Sequence, residues 1–148
     1  MRDDEFLKNQ LEYIWSKGFS DVERMNNINI KFKGRWKNKF GHIKKLKNGD
    51  SEIVINGYFK NYTIPEYIIH LTIAHELVHY SHGFNSPLPK LHKHPHKGGI
   101  VNKDLKKRGF GDLLKLERAW LKDNWREIVK NDFKERERKV SIGLFKWF

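Results

Sequence analysis

Residues 64–80, IPEYIIHLTIAHELVHY, leave a chain of this size few ways to fold. Ile68, Ile69, Leu71, Ile73, Ala74, Leu77 and Val78 fall on every side of a 3.6-residue period, and a helix apolar all round has to be buried. The run is shorter than a bilayer core requires. Thr63 and Glu66 stand at capping-box spacing with Pro65 in the first turn, which predicts a helix from there to about Tyr80. Everything else has to pack around it.

The flanking sequence supplies the covering elements. Phe6, Leu7, Leu11, Ile14 and Trp15 have helical spacing over 3–17, and Gly18 is a C-terminal stop. NINIKF alternates apolar and polar residues, SEIVING is a β-branched run, and KNGD after GHIKKL is a turn. Three short strands, partly a hairpin, predict a small antiparallel or mixed sheet. NSPLPKLHKHPHKGG carries prolines 87, 89 and 95 and reads as a loop. Leu113, Leu116, Trp120, Leu121, Trp125, Ile128 and Val129 predict a long amphipathic C-terminal helix, after which KERERKVSIGLFKWF begins charged and ends apolar. The expectation is an α+β fold in a single domain over 1–148, with its core at about 5–111 and a helical extension over 112–148.

Composition narrows the chemistry. The chain has no cysteine, which removes disulfides, thiolate metal sites and cysteine nucleophiles, so any metal has to sit on His, Asp or Glu. MRDDEFLKNQ does not read as a signal peptide, and no run is long and apolar enough to span a membrane, so a soluble cytoplasmic protein is expected. The 30 Lys+Arg against 18 Asp+Glu give a net charge of +12, which points to a polyanionic partner such as DNA. Residues 31–60 hold nine Lys/Arg against Asp50 and Glu52, with Trp36, Phe40 and Phe59 interleaved. Arg35 and Trp36 would offer a charge and a stacking plane to single-stranded DNA. The C-terminal helix mixes both signs and reads as a solvated face.

The buried helix also carries His75, Glu76 and His79, an H-E-x-x-H motif. Positions i and i+4 share one helix face, so both imidazoles can reach one ion. Glu76 points about 100° away, beside a metal-bound water rather than on the metal. That arrangement suits metal-assisted peptide hydrolysis with Glu76 as general acid/base. A third protein ligand is needed, and the candidates are His82, His92, His94, His96 and Glu117. His82 lies roughly 10 Å along the axis from His75, too far to share a tetrahedral site with it. The metzincin pattern needs a histidine ten residues after the first ligand, where this chain has Asn85. His42 and His70 read as structural, and Tyr80 as a packing residue or an oxyanion donor.

INIKFKGRWKNKFGHIKK, SEIVING, the helix through HELVH and HKGGIVNKDLKKRGFG together resemble the SprT-like (Spartan) metalloprotease family. The resemblance covers about residues 5–111. It implies a zincin-like fold, zinc on His75, His79 and His96, Glu76 as acid/base, and proteolysis, commonly of proteins crosslinked to or bound on DNA. Lys97 separates His96 from Gly98, Ile100 stands where an aromatic is usual, and the cysteine-bearing zinc ribbon of many members is absent. The alternatives are a gluzincin-type peptidase with Glu117 as third ligand, and a basic nucleic-acid-binding module with a structural metal site.

Overall fold

The computed structural model describes residues 1–146, with side chains through residue 139. The chain divides into two compact units, Met1–Leu114 and Lys115–Phe148. The first begins with helix α1 (Asp4–Gly18), capped by Asp3, whose carboxylate accepts from the Phe6 N–H. Strands β1 (Ile28–Lys33), β2 (Gly41–Lys45) and β3 (Ser51–Asn56) follow, then helix α2 (Glu66–Ser81) and helix α3 (Ile100–Lys107). Helix α4 (Gly111–Trp120) starts in the first unit. In the second, one π turn (Leu121–Trp125) leads into helix α5 (Arg126–Lys146). The fold is α+β with a three-stranded mixed sheet, and no described helix is long and apolar enough to cross a membrane.

The sheet order is β1-β3-β2, with β1 parallel and β2 antiparallel to β3. The expected hairpin is therefore β2–β3, and β3 is central. All six of its residues are buried, which fits the consecutive apolar residues Ile53, Val54 and Ile55 in place of alternation. Ile30, Ile53 and Ile43 lie side by side across the three strands on the face that meets α1 and α2. On the other face Lys31 and Lys44 both pair with the nearly buried Glu52, at 3.4 and 3.3 Å.

Helix α2 is buried on nearly all sides, from Ile68 to Tyr80. Gly41 lets it sit close to the sheet, since a Cβ there would stand 2.9 Å from the Thr72 methyl and 2.8 Å from the Val54 carbonyl. The N-terminus differs from expectation. Pro65, extended at φ −61 and ψ 144, is the cap residue rather than a first-turn residue, and it offers no side-chain cap bond. Thr63 does not cap, because Asn61 closes its own turn by accepting from the Thr63 N–H through its side chain and from Ile64 through its carbonyl. An Asx turn satisfies these donors locally and ends before the helix begins.

Along the expected amphipathic C-terminal helix, Leu113, Trp120, Leu121, Trp125, Ile128 and Val129 are half-buried. No residue of α4 is buried, and Leu116 and Phe133 are exposed. Trp147 and Phe148, at the apolar end of the tail, lie outside the described residues.

Asn56 ties the β1–β2 loop to the sheet. Its Nδ2 donates to the Trp36 and Lys39 carbonyls at 2.7 and 2.8 Å, its Oδ1 accepts from Tyr58 at 3.1 Å, and its N–H donates to Phe40. Asn56 is fully buried, so its loss strands two carbonyls away from water. Asn56→Ala is expected to lower unfolding stability by about 2 kcal/mol in urea titration. A loss below about 0.5 kcal/mol would show that the 34–40 loop holds its own shape.

Candidate metal centre

Helix α2 lies deep enough that its histidine-bearing turn is desolvated. Glu76 is 4% exposed and His79 1% exposed, while His75 is half-buried at the open side. The i,i+4 spacing brings His75 Nε2 and His79 Nε2 to 3.2 Å from one another. A tetrahedral zinc with bonds of 2.0–2.1 Å separates its nitrogens by roughly 3.3 Å, so the two imidazoles already stand at the distance an ion between them requires.

His96 completes the group. Its ring lies 4.5 Å from that of His79 and 6.3 Å from that of His75, centroid to centroid. One ligand atom from each of His75, His79 and His96 falls within 4.8 Å of the others. Phe84 rests against both His79 and His96, at 5.3 and 6.3 Å. It forms an apolar wall on one side of the cluster. Gly83 makes the turn off the helix at φ +78, where a Cβ would also collide with the Pro89 carbonyl. The chain then folds back so that Leu91 N–H donates to the His82 carbonyl at 2.9 Å.

The electrostatics favour neutral imidazoles. Burial pulls the His75 pKa down to about 4, helped by the nearby His96. Burial pulls His79 down to about 3, with His75, His96 and His82 adding to it. Both rings thus keep lone pairs available at neutral pH, the form in which imidazole binds metal. Burial pushes the Glu76 carboxyl up to about 8, opposed by the charge of Lys39.

The other candidates are placed elsewhere. His94 shares a surface cavity with Pro95, His96 and Lys97 but does not join the three-ligand group. Glu117 belongs to the second unit, and its carboxyl is pushed up to about 7 by burial. His92 packs edge-on against His82 at 4.8 Å. His82 is committed to Asp104, 2.7 Å from its Nε2. His70 bonds Gln10 at 2.6 Å, and His42 lies beside Trp36 at 5.7 Å. Tyr80 is fully buried, donating to Asn26 and accepting from the Met25 N–H. Its hydroxyl is a structural link and not an oxyanion donor.

Comparison with family models, with curated proteins and with solved structures gave no match. The site has to be read on its own geometry.

Three residues around the cluster carry no spacing signal of their own: Phe84 is a loop aromatic, and Asp104 and Arg108 both fall within HKGGIVNKDLKKRGFG, which points to neither of them.

Two helical histidines alone leave a metal under-coordinated. His96→Ala is expected to weaken Zn2+ binding by at least about 10²-fold, and Glu117→Ala to leave it within about twofold, in competition titration against a chromophoric chelator. The opposite order would give the third position to Glu117. Loss on His94→Ala alone would move the ligand two residues along the loop.

Proposed function

We propose that the protein is a zinc-dependent metalloprotease that hydrolyses peptide bonds with His75, His79 and His96 as zinc ligands and Glu76 as general acid/base. The observation that carries this reading is the buried carboxylate one residue from a converging histidine pair and its loop-borne third partner. A purely structural site has no use for such a group, and burying it costs stability. Three imidazole nitrogen donors suit zinc and leave a fourth position open. When bound, the ion supplies Lewis acidity to a scissile carbonyl and lowers the pKa of water.

Glu76 does the proton work. Burial alone keeps this carboxyl protonated at neutral pH; a cation held beside it would favour the ionised form, and the carboxylate would then take a proton from the attacking water as hydroxide adds to the carbonyl carbon and return it to the amine nitrogen as the C–N bond breaks. Phe84 and the apolar flank of α2 keep bulk water from competing for that proton. The resemblance to SprT-like proteases makes DNA-bound or DNA-crosslinked proteins the proposed substrates.

A polyanion-binding role alongside proteolysis rests on the β1–β2 loop. Trp36 is half-buried with Lys39 over its ring at 5.0 Å and His42 beside it. Exposed Lys33, Lys37 and Lys45 lie on the same strands and loop. Lys44 is held by Glu52 and contributes less outward charge than its sequence position suggests.

Two experiments test these roles separately. Glu76→Gln is expected to retain about one zinc per chain while cleavage of a denatured protein substrate falls at least about 10²-fold; unchanged cleavage sinks the mechanism, and zinc loss makes Glu76 structural. DNA affinity is expected to fall steeply with salt. Neutralising Lys37, Lys39 and Lys45 should flatten that slope, while Lys44→Gln mainly costs stability. No binding by the wild type at low salt would leave the basic face a solvated surface.

A further inference from the structure

The metal ligand that α2 does not supply is His96, and it lies on an exposed stretch of loop. Within residues 92–99 Lys97 N–H donates to His94 O at 3.2 Å, one 3-10 turn covers Lys97–Gly99 with His96 at its start, and Gly98 and Gly99 both sit at positive φ with nothing near their Cβ positions. Such a segment does not fix an imidazole by itself. Its position has to come from its two ends.

Both ends close on one residue. On the near side, Leu91 N–H donates to the His82 carbonyl at 2.9 Å, and the His92 ring packs edge-on against the His82 ring at 4.8 Å. On the far side, His82 Nε2 bonds Asp104 Oδ2 at 2.7 Å. Asp104 is on α3, eight residues beyond His96. Its other oxygen accepts from Arg108 Nε at 2.9 Å. Arg108 reaches back to the Gly18 carbonyl and Asp21 at 2.9 and 2.7 Å, with its guanidinium over Phe19 at 4.5 Å. His82 itself is 8% exposed and caps α2 three residues after the ligand His79.

We propose that His82 is a positioning residue: it clasps both ends of the Leu91–Asp104 segment to the end of α2 and so holds His96 over the His75–His79 pair. This rests on reading the three histidines as a metal site. The Asp104–Arg108–Gly18 chain keeps the clasp from swinging, because Asp104 is anchored to the end of α1 through Arg108. Charge-assisted bonds of this kind fix geometry as well as contribute energy. His82 therefore acts on the metal through His96 and not by ligation.

That claim has a consequence that a general stabilising role lacks. If His82 works only by presenting His96, its removal costs nothing once His96 is gone. His82→Ala, which removes the ring's contacts to Asp104 and His92 and leaves the backbone bond from Leu91, should weaken Zn2+ binding about 10–100-fold in the wild-type background, and should change it by less than about twofold in a His96→Ala background. Asp104→Ala should show the same pattern with a smaller loss. Where an alanine variant unfolds by circular dichroism, Asp104→Asn, isosteric and still able to accept one bond, is measured in both backgrounds. Equal losses in the two backgrounds, or no loss in the first, would overturn the clasp and leave the metal site standing. A wild type that binds no zinc would overturn the metal reading and the clasp with it.

Discussion

The structure depends on the burial of α2. Because the helix is apolar around its whole circumference, it has no face to give to water, and α1, α3 and the inner face of the sheet all pack on it. Each large apolar side chain taken out of water there contributes about 1.5–3 kcal/mol. The same burial desolvates whatever polar groups the helix carries. Glu76, His75 and His79 are displaced from their ordinary pKa values chiefly by that burial, the carboxyl upward and the imidazoles downward. Fold and chemistry share a cause.

Burial alone does not assemble a site. Two imidazole nitrogens 3.2 Å apart can share one proton, but a third histidine drawn to the same point has none left to share. An ion satisfies all three lone pairs at once. His79 Nδ1 is buried without a hydrogen-bond partner among the described residues, so packing against Phe84 and His96 orients that ring, not the carboxylate or carbonyl that usually fixes a metal-binding histidine. The two helical histidines come with α2 itself, whereas His96 has to be brought in from the loop. Gly83 and the proline-rich stretch after it give the turn, and the bonds at His82 give the anchorage.

The parts legible in the sequence are those that local period determines. β3 reads from its unbroken apolar run, the β2–β3 hairpin from KNGD, and α2 from its all-round hydrophobicity; each was placed within a few residues. The helix pair His75 and His79 follows from i,i+4 geometry alone. The start of α2 was misplaced because two local motifs competed for the same residues. Asn61 captured Thr63 and Ile64 in a turn, and a capping-box spacing cannot reveal that a neighbouring asparagine has already taken the donors.

The rest was hidden because loops have no period. Between His79 and α3 nothing in the spacing distinguishes His92, His94 and His96, since each is flanked by lysine or proline and none sits on a repeating face. What separates them is tertiary: His92 meets His82, His94 faces the surface cavity, and His96 meets His79. The bonds that sort them join residues 22 and 90 positions apart, His82 to Asp104 and Arg108 to Gly18. Asp104 and Arg108 taken alone look like unremarkable helical charges, and Gly18 contributes only a backbone carbonyl. A site of this kind is half encoded in a helix, where sequence spacing maps onto space, and half in a loop, where only the folded chain shows which histidine arrives.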